Sequence, residues 1–143
     1  MGNASAMSPR ALAGLCVLAL AGCNAGGATG TREQARNAAL AFVTDCARGR
    51  TTAAQDILTD AVRGPFLTAG TGLQACLRVL GVEPPANASP DQLRGLAAQV
   101  KVGAVTELRG EQFATVPVTG PSGSRRDLEI EQRGELWYIA TGP

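Results

Sequence analysis

The chain has no histidine, a single lysine and few aromatic side chains (three phenylalanines, one tyrosine and one tryptophan). The absence of histidine excludes Ser–His–Asp triads, zinc sites that use histidine and the two-histidine facial iron site. Charge is also scarce: 17% of the residues are charged and the net charge is +1, which excludes a polybasic nucleic-acid binder. At 143 residues the chain has room for one domain.

The first 23 residues have the layout of an export signal. Arg10 precedes the apolar run 11–20, which is too short to span a bilayer. The run ends in Leu-Ala-Gly-Cys at 20–23, which resembles the bacterial lipobox at all four positions. The resemblance implies that the signal peptide 1–22 is removed and that diacylglycerol is attached to Cys23. An ordinary cleaved signal, with Ala19 and Ala21 at the cleavage site and Cys23 unmodified, is the alternative.

The lipobox resemblance implies a protein anchored by lipid to the extracytoplasmic face of the cell membrane. Residues 23–30 are rich in glycine and alanine, and they are predicted to form a lipidated, flexible tether. Removal of Arg10 with the signal leaves equal numbers of basic and acidic side chains. The membrane is therefore a predicted partner through the anchor and not through charge.

Apolar residues at helical spacing predict four helices after the tether. The first begins at Thr31, with Gln34 as the partner in a capping box, and ends at Gly49. The second begins at Thr51 or Thr52 and ends before Gly64-Pro65. The remaining two are predicted over about 73–80 and from Ser89-Pro90-Asp91-Gln92 onward.

From Gln99 the apolar period changes from helical to two. Strands are predicted around 100–105, 114–118, 128–131 and 136–140, separated by turns at 109–111, 121–124 and 133–135. Helices followed by an antiparallel meander predict an α+β fold, with the N-terminal helices packed on a curved antiparallel sheet.

This order of elements resembles the cone of the nuclear-transport-factor-2-like superfamily, and in particular its small actinobacterial lipoproteins. The resemblance covers Thr31 to Thr141 and depends on the opening helix, the paired cysteines and the aromatic closing strand around Trp137. It implies a single domain over 31–143. A cystatin-like sheet with one helix is the alternative, and three helical segments ahead of the sheet disfavour it.

Apart from the predicted anchor, the exported part of the chain contains two cysteines, Cys46 and Cys76. An even number of cysteines in an exported protein predicts a disulfide. A redox-active pair is the alternative, but the Cys-x-x-Cys spacing that favours such chemistry is absent. The disulfide is therefore predicted to be structural.

Few residues are candidates for chemistry. The segment 70–75 fits the G-x-G-x-x-A dinucleotide pattern, but it lacks the strand before it that such a site needs, so no cofactor is predicted. No metal site and no catalytic residue is predicted either. The adjacent Arg125 and Arg126 are interpreted as a solvated hairpin end, although they are also candidates for contact with a phosphate or an acidic partner.

Two function classes follow. The first is a non-catalytic domain that binds a small apolar ligand in its cone or a protein of the cell envelope, and not nucleic acid. The second comes from the resemblance, because isomerases and dehydratases of that superfamily place an acid and a tyrosine in the cone. An enzyme of that type would use an inward carboxylate with Tyr138, the chain's one tyrosine.

Overall fold

Helices precede strands along the chain, which confirms the predicted α+β order. The computed structural model describes residues 27–143. The helices are α1 (Gly27–Ala47), α2 (Thr51–Asp56), α3 (Asp60–Thr68), α4 (Gly72–Val79) and α5 (Pro90–Ala98). The strands are β1 (Lys101–Val102), β2 (Glu107–Arg109), β3 (Phe113–Thr119), β4 (Arg125–Arg133) and β5 (Leu136–Ile139). Residues 32–143 form one compact unit, and the contacts described below lie within it.

The strands form one antiparallel sheet in the order β1-β3-β4-β5. Strand β2 pairs with the same edge of β3 as β1 does: β1 lies at the C-terminal end of β3 and β2 at its N-terminal end. The sheet curls strongly into a half-barrel with the helices packed against it. Ala114 lies opposite Ile130, and Ile130 lies opposite Ile139. Residues directly opposite each other share a face of a sheet, so the alternating apolar residues of β3, β4 and β5 all point to one side.

The inner face of the half-barrel and the helices form a single buried cluster. Helix α1 contributes Ala35, Ala39 and Phe42 to it, each without exposed surface. Small side chains at two of these positions allow the helix to approach its neighbours closely. Phe42 packs edge-on against Phe66 of α3, with 6.4 Å between the ring centroids.

Arg36 of α1 stabilises the interruption between β1 and β2 at Gly103. The Arg36 guanidinium donates hydrogen bonds to the carbonyl oxygens of Val102 and Gly103, each at 3.1 Å. The Gly103 N–H donates to the Pro117 carbonyl at 2.8 Å. A Cβ at position 103 would lie 2.9 Å from the Pro117 ring, so only glycine fits this close approach.

The prediction of one long second helix is wrong. The segment forms two helices, α2 and α3, because Leu58 leaves the helix to make a parallel β-bridge with Ile139. The expected stop at Gly64-Pro65 is also wrong, since Pro65 lies inside α3. Phe66 is only 2% exposed, and its packing in the core stabilises the last turn of α3. This stabilisation outweighs the loss of the backbone hydrogen bond that Pro65 cannot donate.

Helix α1 begins at Gly27, although the sequence predicted a flexible tether through Gly30. Once the packed turns of a helix are formed, each added residue gains a backbone hydrogen bond at little further cost. The last four residues of the predicted tether are therefore helical. The rest of the tether and the predicted signal peptide 1–22 lie outside the described residues.

Candidate functional site

A disulfide joins Cys46, in the last turn of α1, to Cys76 in α4, with 5.9 Å between the two Cα atoms. The structure thus contains the pairing that the sequence predicted. Both cysteines are completely buried in the main cluster, as a structural cross-link requires. Cys23 lies outside the described residues, so its lipidation stays a prediction.

The inner face of the half-barrel, where the resemblance places a ligand site, is filled by the protein's own side chains. Val116, Leu128, Ile130 and Ile139 have no exposed surface, and Trp137 keeps only 8%. The Trp137 indole N–H donates to the Gln34 side-chain oxygen at 3.3 Å. Among residues 30–143 the buried set contains no carboxylate, so the described inner face offers neither ligand space nor an acid.

Tyr138 lies on the outer face of the sheet, directly opposite Glu131. Neighbouring carboxylates on that face are paired with arginines: Glu129 with Arg109 at 2.7 Å and Glu131 with Arg133 at 3.2 Å. The structure therefore does not bring Tyr138 together with an inward carboxylate. The alternation of β5, in which Trp137 and Tyr138 must face opposite ways, is the reason.

The two adjacent arginines of the β3–β4 hairpin have separate roles. Arg125 pairs with Asp127 at 3.3 Å on the outer face. Arg126 is partly buried and donates to two carbonyl oxygens, those of Arg78 at 2.5 Å and Gly142 at 2.8 Å. The interpretation of both as a solvated hairpin end is wrong for Arg126, whose guanidinium ties the end of α4 to the C-terminal segment.

The segment 70–75, which fits a dinucleotide pattern, begins a helix instead. The Gln74 N–H donates to the Thr71 hydroxyl at 3.3 Å, and the Thr71 N–H donates to the Gln74 side-chain oxygen at 2.9 Å. Gly72 is required by packing, because a Cβ there would lie 2.7 Å from the Thr51 side chain. Helix α3 precedes the segment, so the strand that a nucleotide site requires is absent at this point.

An open groove of about 520 Å³ runs between the proline-rich loop and α5. It carries no charged side chain, and its lining residues are Pro85, Ala86, Asn87, Ala88, Gln92, Gly95, Leu96 and Gln99. The groove is an uncharged surface concavity outside the half-barrel.

A smaller, polar cavity of about 160 Å³ lies where α3 begins beside β5. The β-bridge at Leu58 creates it: the Thr59 N–H donates to the Ile139 carbonyl at 2.9 Å, and the Ile139 N–H donates to the Ile57 carbonyl at 2.7 Å. The lining residues are Leu58, Thr59, Asp60, Arg63, Arg133 and Tyr138.

Sequence reasoning missed this polar cavity. Its residues come from three separate segments, and only the pairing of Leu58 with Ile139 brings them together. The one local signal was Thr59-Asp60, a threonine followed by an acid, which is typical of a helix start. Recognising it would have divided the second predicted helix at the correct place.

Within residues 27–143, no group of three metal-ligating side chains is placed to hold an ion. No helix in that part of the chain is both long enough and apolar enough to cross a bilayer. In comparisons with protein-family models, with curated proteins and with solved structures, nothing matches this chain.

Proposed function

We propose that this protein is a lipoprotein, anchored through Cys23 to the extracytoplasmic face of the cell membrane, and that its domain binds a protein partner of the envelope without catalysing a reaction. The lipobox-like residues 20–23 and the disulfide support the first part, since structural disulfides are typical of exported proteins. The structure has an α+β half-barrel, and that this half-barrel is a nuclear-transport-factor-2-like cone is part of the same proposal.

The observation that carries the binding function is the filled half-barrel. Proteins that hold a small ligand or substrate in a cone keep a cavity there, typically of several hundred Å³. Here the inward side chains of β3, β4 and β5 are packed against one another and against the helices. Partner binding on the outer surface is therefore favoured over an apolar ligand inside the cone.

The paired carboxylates support a non-catalytic role. Acid–base catalysis needs a carboxylate held near the reacting atoms in a sheltered site. Glu129 and Glu131 lie on the outer face in ion pairs with arginines, and their side chains are 46% and 24% exposed. Such pairs are typical of a solvated sheet surface.

The anchor is tested by labelling living cells with a fatty acid and isolating the protein. We expect label on the wild-type chain and none on Cys23→Ala. Cys16→Ala is the matched control, because it removes a cysteine from the same N-terminal region outside the lipobox-like residues and should keep the label. An unlabelled wild-type chain, found free in the medium, would contradict the anchor.

The surface-binding part is tested by the mass of the protein, extracted in mild detergent, before and after denaturation. We expect both masses to correspond to cleavage before Cys23 plus acyl groups and minus two hydrogens for the disulfide. Additional mass that is lost on denaturation and corresponds to an apolar small molecule, rather than to a phosphate or carboxylate ion, would contradict a filled half-barrel.

A further inference from the structure

We infer that the polar cavity between α3 and β5 is a binding site for a small oxyanion, either a carboxylate or a phosphate group. The inference is independent of the proposed function, because it depends only on Thr59, Arg63, Arg133, Tyr138 and the first turn of α3. All four side chains line the same cavity of about 160 Å³. That volume suits a single oxyanion group and is too small for a drug-sized molecule.

Thr59 is the first observation that points to a ligand. It is 3% exposed, yet among the described residues its hydroxyl has no hydrogen-bond partner. It is the N-cap residue of α3, but it makes no side-chain cap. The N–H groups of Val62 and Arg63 both donate to its carbonyl oxygen instead, each at 3.1 Å. The hydroxyl lines the cavity and is not fully enclosed, so it is available to form a hydrogen bond with a ligand there.

Arg63 provides the second observation. Its terminal nitrogens contact the Leu58 carbonyl oxygen and the Asp60 carboxylate, each at 3.1 Å. Its Nε is enclosed, and it is the one such side-chain atom in the described part of the chain that has no hydrogen-bond partner. Leaving a charged donor unsatisfied is unfavourable, and a small rotation of the guanidinium toward an oxyanion would remove that penalty.

The surrounding charge also favours an anion. Arg133 contributes a second guanidinium, which uses Nε and one terminal nitrogen on Glu131 at 3.2 and 3.4 Å and leaves the other terminal nitrogen available. The backbone N–H groups of Asp60 and Ala61 begin α3, and within the described part of the chain they have no acceptor. The start of a helix carries partial positive charge, and guanidinium groups match planar and tetrahedral oxyanions.

The Asp60 carboxylate is the one negative group that lines the cavity, so replacing it distinguishes an anion site from a cation site. Its side chain is 85% exposed and is held by Arg63. Asp60→Asn would remove the negative charge and release one Arg63 nitrogen, so we expect it to strengthen oxyanion binding about threefold or more. A cation site would respond in the opposite direction.

The experiment titrates the purified protein, in the form that the cell produces, with inorganic phosphate and separately with acetate. Ionic strength is held constant with chloride, and the arginine side-chain N–H signals are followed by NMR in protein labelled with ¹⁵N-arginine. We expect saturable shifts of the Arg63 and Arg133 signals with at least one of the two anions. The tighter anion shows whether the site prefers a tetrahedral or a planar group.

Two variants and two controls complete the test. Arg133→Gln should weaken binding about tenfold or more, and Thr59→Val about threefold, without loss of the fold. Arg125→Gln removes an equivalent arginine from the far end of β4, and Arg94→Gln removes an equivalent first-turn pair from α5. Both controls should bind like the wild type. No saturable shift up to about 50 mM of either anion, or equal weakening in all four variants, would overturn the inference.

Discussion

The N-termini of α3 and α5 are built from similar residues and are held in different ways. Each begins after a hydroxyl residue, Thr59 or Ser89, and each has an acid–arginine pair three residues apart. At α5, Ser89 and Gln92 form a reciprocal capping box. At α3 the backbone N–H of Thr59 is used in the bridge to β5, and its hydroxyl is unused.

The difference shows how the hydroxyl of an N-cap residue becomes available to bind a ligand. In a capping box the hydroxyl and the amide satisfy two backbone donors, and nothing is left for a ligand. At α3 the third helical residue is Val62, which cannot return a hydrogen bond, and the sheet supplies the missing acceptor. The Thr59 hydroxyl is left lining a cavity, and the first N–H groups of α3 have no acceptor within the described residues.

The largest expected effect concerns α4, which has both a capping box and the disulfide to α1. Replacing Cys46 and Cys76 together by alanine should lower the free energy of unfolding by about 3–4 kcal/mol, since the disulfide closes a loop of 30 residues. Urea unfolding monitored by Trp137 fluorescence measures it. A loss below about 1 kcal/mol would show that the unfolded chain is already conformationally restricted without the disulfide.

Ser89→Ala is the next largest change, and it tests the satisfied cap. It removes the acceptor for the Gln92 N–H, so we expect a loss of about 1 kcal/mol in the free energy of unfolding. Thr71→Ala provides the matched comparison at α4, where the same box is present. Unchanged stability in both variants would mean that the capping boxes contribute little to this fold.

Thr59→Val should act in the opposite direction. Valine has nearly the same shape and replaces a hydroxyl that caps nothing by a methyl group at a largely buried position, so we expect the protein to become more stable by about 0.5–1 kcal/mol. The same urea measurement applies, without added phosphate or acetate. A loss as large as that of Ser89→Ala would show that the hydroxyl caps α3 in solution, and the comparison between the two helices would fail.

The smallest effect is expected at the surface pair of α5. Arg94→Gln breaks the contact with Asp91, whose side chain is 85% exposed, and should change the free energy of unfolding by less than about 0.5 kcal/mol. A larger loss, persisting in high salt, would show that Arg94 stabilises the helix by packing over Gly49 rather than by charge.

Much of the fold was predictable because its signals are local. The capping box at Ser89 and the alternation of β3 to β5 could be predicted from neighbouring residues and spacing, and the pairing of Cys46 with Cys76 could be predicted from the number of cysteines in the exported part of the chain. The first helix shows the limit of such rules. Gln34 was expected to form a capping box with Thr31, but its side chain accepts a hydrogen bond from Trp137, a residue far along the chain.

The polar cavity could not be predicted in the same way. Thr59, Arg133 and Tyr138 belong to segments that are unremarkable separately, and their meeting depends on Leu58 leaving a helix for a strand position. A backbone bridge of this kind leaves no pattern in side-chain periodicity. Arg126, whose partners are two distant carbonyl groups, was misinterpreted for the same reason.

The bridge between Leu58 and Ile139 also has a kinetic consequence. It joins two residues about 80 positions apart in the sequence, whereas the helices and hairpins that flank it are local, so its closure carries one of the largest entropic costs in the described part of the chain. We therefore expect it to form late in folding. An anion that binds beside the bridge would bind the native state and not the folding transition state. It would therefore slow unfolding and leave the folding rate unchanged.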